Sequence, residues 1–277
     1  MNNFLHIIIT EFNLRRDWKN DKNGQVVRNE AWMQKRMKLF TNFCFPSIEN
    51  QTIKDFFWLV YFDTETETKY RNAIDGLRGR GKFFVPKYVD GHDGFQRSFK
   101  EDIRSLFHEG TRHVITTDID NDDCFNIRAV ERIQACFNGQ AFEVVNFHNG
   151  ICLQIEPKVR IARMYNSSSP FISVISEIDQ AGCFKDIRDE EHQNWEKKFP
   201  IHQITDDQYW LQVIHGSNMM NTFRGRPVRS LGILKKFSVD PAKIDAASYQ
   251  FGREMVKYLL SGVYRKTIGR LRASQLN

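Results

Sequence analysis

Cysteine is scarce in this sequence of 277 residues. Its cysteines are odd in number, lie far apart and form no C-x-x-C pair; they are Cys44, Cys124, Cys136, Cys152 and Cys183. This pattern excludes a disulfide framework and a cysteine zinc site, and it favours a reducing, cytoplasmic compartment.

Long apolar runs are also missing. No stretch approaches the roughly 18 uninterrupted apolar residues that a transmembrane helix needs. The N-terminal segment MNNFLHIIIT has no basic flank and no small-residue cleavage site, so it predicts a buried strand rather than a signal peptide. Internal repeats and low-complexity linkers are absent. The length suits one large domain or two small ones.

Positive charge is in slight excess. Lys and Arg total 40 against 34 Asp and Glu, which gives a net charge of +6 and a pI near 9.0. This balance suits an anionic partner such as a nucleotide, a phospholipid surface or nucleic acid. The sequence carries no recognised nucleic-acid-binding motif and no aromatic platform, so we expect no nucleic acid.

Apolar strands alternate with amphipathic helices in the first half. Strands are predicted over Phe4–Thr10, Phe56–Phe62 and Phe83–Val89, and helices over Asn29–Phe45 and Phe95–Glu109. Continuous apolar strands between helices favour an α/β fold with a mostly parallel sheet covered on both faces.

The second half is predicted to be less regular. Ala141–Phe147 and Gly150–Glu156 suggest a hairpin or two adjacent strands, and the charged segment Asp186–Lys198 suggests a solvated helix. Residues Ala246–Ala273 predict a basic amphipathic helix interrupted at Gly262. Such a helix either packs on the domain or lies against an anionic membrane surface.

The stretch His113–Asp123, HVITTDIDNDD, carries the clearest chemical signal. An apolar strand ends there in a cluster of carboxylates, namely Asp118, Asp120, Asp122 and Asp123. Open α/β sheets bind ligands at the carboxyl ends of their strands. Clustered carboxylates repel one another unless a cation lies among them, so the pattern favours a divalent ion over a merely solvated loop.

Three kinds of site use such a cluster. An EF-hand loop is excluded, because it needs Gly and Glu where this sequence has Asp123 and Ala129. An aspartate-dependent phosphatase with a D-x-D pair at Asp118 and Asp120 fits locally, but no convincing downstream partners follow. A D-x-D clamp would hold a metal ion and a nucleotide diphosphate.

The order of these motifs resembles that of glycosyltransferases with the GT-A fold. Pro46–Thr52 is similar to their S-I-x-x-Q-T pattern, and Asp55–Asp63 to the apolar strand and aspartate that follow it. Gly94–Glu109 resembles the helix that leads into the D-x-D strand, and Ile119–Asp123 resembles their L-D-x-D-D.

More narrowly, the chain resembles the bacterial rhamnosyltransferase family. The matching pieces are Trp32 with Arg36 before Pro46, Thr117–Asp123, and Trp210–Asn218. Asp118 departs from the family pattern, which has a basic residue there. A negative charge at this position would alter phosphate contacts or the sugar preference.

The resemblance implies a GT-A-like α/β fold. A central, mostly parallel sheet flanked by helices would form a Rossmann-like nucleotide-sugar-binding half (residues 1–124), followed by a less regular acceptor-side half (125–235) and a C-terminal helical tail (236–277). The activity implied is metal-dependent transfer of a sugar, L-rhamnose, from a nucleotide-sugar donor to a glycan or lipid-linked acceptor, with inversion, in bacterial surface polysaccharide synthesis. The alternatives are a non-catalytic nucleotide- or glycan-binding module of the same fold, and the phosphatase.

The resemblance also implies site residues. Mn²⁺ or Mg²⁺ would be held by Asp120, Asp122, Asp123 and His215, and the donor would be contacted by Asp63, Arg97, Asp120, Asn218 and Arg224. Inversion needs one carboxylate base to take the acceptor's proton, and the candidates are Asp207, which is preferred, Asp206 and Glu177. A lipid-linked acceptor would place this cytoplasmic protein at the periphery of the inner membrane.

Overall fold

Buried apolar strands form the centre of the computed structural model, which describes residues 3–17, 24, 26–216, 218 and 221–261. The central strands are flanked by apolar side chains on both faces, as expected for a parallel sheet covered by helices. In chain order the strands are β1 (Phe4–Glu11), β2 (Phe57–Asp63), β3 (Phe84–Val89), β4 (His113–Asp118), β5 (Cys124–Phe125), β6 (Phe142–Phe147), β7 (Asn149–Gln154), β8 (Arg160–Tyr165), β9 (Ile172–Glu177), β10 (Ile201–Ile204), β11 (Trp210–Ile214) and β12 (Arg226–Pro227).

The larger sheet has the strand order β10–β6–β9–β4–β1–β2–β3. Every strand in it runs in one direction except β9, which is antiparallel to both of its neighbours. The predicted mostly parallel central sheet is therefore confirmed. The carboxyl ends of β1, β2, β3 and β4 share one edge, and this edge carries the aspartates.

A second sheet, ordered β12–β8–β7–β11–β5, stands beside the first. The strands β6 and β7 were expected to pair or adjoin, but they belong to different sheets because the chain crosses between them at His148. Gly150, early in β7, lies under the ring of Trp210 on β11. A Cβ at Gly150 would come within 2.0 Å of that ring, so only glycine fits.

Helices cover both faces of the larger sheet, and two of them contact the smaller sheet. They are α1 (Glu30–Leu39), α2 (Phe45–Glu49), α3 (Thr68–Arg78), α4 (Gly91–Arg104), α5 (Ala129–Gln134), α6 (His192–Lys198) and α7 (residues 251–261). The helix predicted over Asn29–Phe45, with a short continuation after Pro46, is present as successive helical segments. A π-helical turn, Phe40–Cys44, joins α1 to α2, and Pro46 falls in the first turn of α2, where its missing N–H costs little.

The segment Asp186–Lys198 is not the solvated helix that its charge predicted. Only α6 is helical, and both Asp186 and Trp195 are fully buried. Asp186 accepts a hydrogen bond from the Arg188 backbone at 2.7 Å and lies 2.9 Å from Lys100 Nζ. The Ile187 N–H donates to Thr116 Oγ1 on β4 at 2.9 Å, so this segment crosses the edge of the sheet near the aspartates.

The chain closes with short 3-10 helices at Leu231–Phe237, Pro241–Lys243 and Ala246–Ser248, followed by α7. The rest of the predicted tail helix, including its interruption at Gly262, lies outside the described residues.

The predicted boundary at residue 124 falls within β5, and β6, β9 and β10 join the sheet that the first half begins. Within the described ranges, every helix is too short or too polar to cross a membrane.

Candidate active site

A tight turn holds the aspartates between β1 and β11. The Asp123 N–H donates to the Asp120 carbonyl at 3.2 Å, and Asp123 Oδ1 accepts from the Val213 N–H at 2.8 Å. The Asn121 side chain donates to the carbonyls of Glu11 and Phe12 at 2.9 and 3.0 Å. The backbone of the turn is thus fixed by both sheets before any ligand binds.

Three carboxylates of this turn converge. Asp120, Asp122 and Asp123 offer oxygen atoms that all lie within 4.8 Å of one another. Asp122 and Asp123 are buried, whereas Asp120 is exposed. A ring of hard oxygen donors with one open side is the arrangement that Mg²⁺ and Mn²⁺ prefer. The predicted clamp residues are therefore brought together, and we name Asp120, Asp122 and Asp123 the aspartate clamp.

Two side chains from distant segments support the clamp. Arg36 Nη1, on α1, lies 2.8 Å from Asp122 Oδ2 and donates to Asn121 Oδ1 at 2.9 Å. His215 Nε2, just after β11, lies 2.7 Å from the same Asp122 oxygen. His215 was predicted to approach the clamp from the C-terminal side, and it lies there. Its ring is buried and contacts the Asp122 carboxylate.

The electrostatics of the clamp are those of a cation site. Desolvation by the surrounding protein, followed by the charges of Asp122 and Asp118, raises the pKa of Asp120 to about 7. Burial and the Asp122 charge raise the pKa of Asp123 as well. Burial also opposes ionisation of Asp122, but the Arg36 charge and the His215 hydrogen bond outweigh it and lower its pKa to about 2. The donor set fits a divalent cation, which would relieve the repulsion among the three carboxylates.

Asp118, the residue that departs from the family pattern, is paired with an arginine from elsewhere in the chain. Arg188 Nη2 donates to Asp118 Oδ1 at 2.7 Å, and Arg188 Nη1 donates to Glu11 Oε1 at 2.9 Å. The guanidinium also lies over the Phe95 ring, 5.4 Å from its centroid. The family pattern has a basic residue at position 118, and in this chain Arg188 places a positive charge beside that position.

A cleft of about 550 Å³, lined by charged residues of both signs, opens at the same edge of the sheet. Its lining residues are Arg15, Arg16, Asp17, Asp90, Gly91, His92, Asp93 and Arg97. The predicted donor residue Arg97 is among them. Asp63 lies behind the cleft, almost fully buried, and Arg15 bonds to both of its oxygens through its backbone N–H at 2.9 Å and its Nε at 3.0 Å.

The other two predicted donor contacts lie farther along the chain. Asn218 is buried and fixes the backbone around the predicted metal ligand: its Oδ1 accepts from the His215 N–H at 2.5 Å, and its amide donates to the Val213 carbonyl at 3.1 Å. Arg224 is exposed on the segment before β12. Asn218 thus holds the backbone at His215 in place, and Arg224 lies at the surface.

The three predicted candidate bases are not brought to the clamp. Glu177 pairs with His113, at the start of β4, which places it about 17 Å along the strand from Asp118. Asp207 and Asp206 precede β11, whereas His215 follows it, and the strand alone spans about 13 Å. Asp207 is paired with Lys236 at 2.7 Å and Asp206 with Arg132 at 3.2 Å.

Comparison with known proteins identifies the family. A family model described as "Putative rhamnosyl transferase" matches residues 10–227. The chain belongs to this family. This is the family that the resemblance of its motifs indicated. The match spans the clamp, the cleft and His215.

Solved structures show more distant similarity. S. aureus TarS 1–349 in complex with UDP-GlcNAc has a TM-score of 0.47 at 13% identity over 78% of this chain and 60% of that one. The UDP complex of TarS 1–349 gives 0.45 at 12% identity over 76% and 60%. A putative nucleotide-diphospho-sugar transferase from Desulfovibrio desulfuricans G20 gives 0.35 at 9% identity over 77% and 82%. The present chain thus spans less than two thirds of TarS 1–349. No curated protein sequence matches it.

Arg36 and Arg188 are the site residues that sequence reasoning did not assign to the clamp or its edge. Arg36 was noted only as part of a motif, and its contact with Asp122 joins residues far apart in the chain. Arg188 is a lone cation in an acidic run, DIRDEE, which is a weak local signal. Each becomes recognisable only once the sheet brings the segments together.

The ion pair between Arg188 and Asp118 can be tested by measuring the stability of variants at these two positions. We expect Arg188→Met to lower the free energy of unfolding by about 2 kcal/mol, because Asp118 and Glu11 lose their shared donor. Adding Asp118→Asn should recover part of this loss, since the unpaired charge is then removed. Urea denaturation measures both, with Arg128→Met, which breaks an exposed pair with Glu131, as a control expected to change little. Strictly additive losses would contradict the pairing.

Proposed function

We propose that this chain is a metal-dependent transferase that moves a sugar, L-rhamnose, from a nucleoside-diphosphate donor to a glycan or lipid-linked acceptor, with inversion, in bacterial surface polysaccharide synthesis. The observation that carries the proposal is the aspartate clamp lying at the same sheet edge as a cleft that contains Arg15, Arg16 and Arg97. Strand ends, hard oxygen donors and guanidinium groups together suit a diphosphate bridged to a cation.

The residues divide the work between them. The cleft arginines Arg15, Arg16 and Arg97 bind and orient the donor by charge-assisted hydrogen bonds. Asp120, Asp122 and Asp123 would hold Mn²⁺ or Mg²⁺, which offsets the charge that develops on the departing nucleoside diphosphate. Arg36 and His215 fix the Asp122 carboxylate in the clamp.

The catalytic base is proposed to lie just before α6. The segment that follows β9 returns to the clamp's edge, where Ile187 contacts Thr116 and Arg188 contacts Asp118. Asp189, Glu190 and Glu191 come next, and Asp189 is paired with Lys100 at 2.8 Å. Glu190 is paired with Lys198, whereas Glu191 is exposed and accepts a bond from Gln193 at 2.8 Å. We therefore prefer Glu191 over Asp207, Asp206 and Glu177.

The base assignment predicts different effects for two acids. Glu191→Gln should lower kcat by about a thousandfold, with the donor KM nearly unchanged, because a general base contributes on the order of 10²–10⁴. Asp207→Asn should keep nearly full turnover, since Asp207 is bound by Lys236 at the far end of β11. Steady-state sugar transfer measures both. An inactive Asp207→Asn that still folds would reverse the assignment.

Calorimetric titration tests the proposed function as a whole. The diphosphates of uridine, thymidine and guanosine are titrated with and without Mn²⁺ after chelation, and one of them should gain about tenfold or more in affinity with metal. Equal affinity in both conditions would remove the clamp from the proposal. Metal-dependent binding with no transfer from any nucleotide-sugar would favour a binding module. Hydrolysis of a generic phosphoester, lost in Asp118→Asn, would favour the phosphatase.

A further inference from the structure

The described part of α7 is oriented against the usual rule for a surface helix. Its charged residue Glu254 points inward, is 4% exposed, and bonds to Arg160 on β8 at 2.6 Å. Three of its large apolar residues point outward, since Val256, Leu259 and Leu260 are 56%, 58% and 64% exposed, whereas Phe251, Met255 and Tyr258 are partly buried. A surface helix normally turns its apolar stripe to the core and its charges to water. The apolar face of α7 therefore suits an apolar medium outside the protein.

Cations flank this apolar face. Arg253 and Lys257 lie one helical turn apart on α7, and Lys158 lies nearby in the turn between β7 and β8. The charges of Arg253 and Lys257 lower the pKa of Lys158, although Glu254, 4.0 Å from Lys158 Nζ and 3.4 Å from Lys257 Nζ, opposes this effect. The sequence after residue 261, GVYRKTIGRLRASQLN, adds four more basic residues and no acid.

The helix lies on the clamp's side of the molecule. Arg160, its partner, is in register with Gln154 at the end of β7. Two residues further, Glu156 Oε2 accepts from the Gly216 N–H at 3.0 Å, and the preceding His215 bonds to Asp122. The turn between β7 and β8 thus connects α7, through these contacts, to His215 and the aspartate clamp.

We propose that the outward face of α7, Val256, Leu259 and Leu260 with Arg253, Lys257 and Lys158, docks on an anionic phospholipid bilayer. The apolar side chains enter the boundary between headgroups and acyl chains, and the cations contact lipid phosphates. A second copy of this chain is the poorer occupant, because pairing two such faces would bring six like charges together. Docking on the bilayer does not depend on the proposed function. Its purpose, which is to place the clamp beside a lipid-linked acceptor, rests on the proposed function.

Vesicle flotation of the full chain tests the docking. Binding is expected to vesicles of phosphatidylglycerol and phosphatidylcholine, to weaken with salt, and to be nearly lost on phosphatidylcholine alone. The triple variant Val256→Ser/Leu259→Ser/Leu260→Ser should lower the partition coefficient by about tenfold or more, and so should Lys158→Gln/Arg253→Gln. The matched control is Val26→Ser/Tyr165→Ser, since these side chains are 58% and 64% exposed elsewhere and should not matter.

Each other outcome overturns the docking. Failure of the natural chain to float with anionic vesicles, equal binding to neutral vesicles, or an unaffected triple-serine variant would each do so. A dimer in light scattering that dissociates in the triple-serine variant would assign the face to a second copy. The nucleotide titration separates this result from the proposed function: the triple-serine variant should titrate as the natural chain does, and Asp122→Ala should still float.

Discussion

Replacement of Asp122 by alanine is expected to abolish metal-dependent nucleotide binding and to lower sugar transfer by about a thousandfold or more. Asp122 is the member of the clamp that Arg36 and His215 both hold, and it is the one whose low pKa keeps it ionised. Its removal takes away a ligand oxygen and the carboxylate that these two side chains share. Calorimetry with Mn²⁺ and initial rates of transfer measure the two effects.

Two further variants make the Asp122 result specific. Asp122→Asn keeps the shape of the side chain and one oxygen but removes the charge, so it should fold normally and still lose most metal-dependent affinity. Asp75→Ala removes an exposed carboxylate on α3 and should change neither quantity. If Mn²⁺ raised nucleotide affinity equally in Asp122→Ala and the natural chain, the metal would have to bind elsewhere.

Arg36→Met is expected to destabilise the metal-free protein by about 3 kcal/mol, a loss that saturating Mn²⁺ should largely reverse. Arg36 is 12% exposed and Asp122 is 7% exposed, so the variant leaves a buried carboxylate without its positive partner. A divalent cation bound to the clamp would supply that charge and stabilise the native state by mass action. Urea denaturation with chelator and with Mn²⁺ measures the difference.

Lys35→Met is the matched control, because Lys35 is the neighbouring residue on the same helix. Its pair with Glu156, at 2.7 Å, is much more exposed to solvent, so its loss should cost only about 0.5 kcal/mol, with or without metal. A loss at Arg36 no larger than that at Lys35, or one that Mn²⁺ leaves unchanged, would show that Arg36 does not stand in for a cation.

The parts of this fold that the sequence predicted are those set by local pattern. The runs that form β1 and β2 are apolar at nearly all successive positions, which is typical of a strand buried on both faces. The aspartate turn follows β4 directly, so its place at the sheet's carboxyl edge needs no knowledge of the rest of the chain. These features were predictable because each depends on neighbours in sequence.

The base could not be placed in this way, because its position depends on strand direction. Glu177 lies on the far edge because β9 is antiparallel to β4, and an apolar run carries no sign of its direction. Asp207 lies far from His215 because β11 stands extended between them. The split of β6 and β7 into two sheets was equally invisible, since both runs are apolar and only His148 separates them.

The partnership of Arg188 with Asp118 changes what counts as one position in this family. The two residues are 70 apart in sequence, yet at the sheet edge they form an ion pair, and Arg188 also pairs with Glu11. An alignment column at 118 alone records a reversal of sign that the folded surface does not have. Relatives that differ at both positions in compensating ways are electrostatically equivalent, whereas relatives that differ at one are not, so the natural unit of comparison here is the pair.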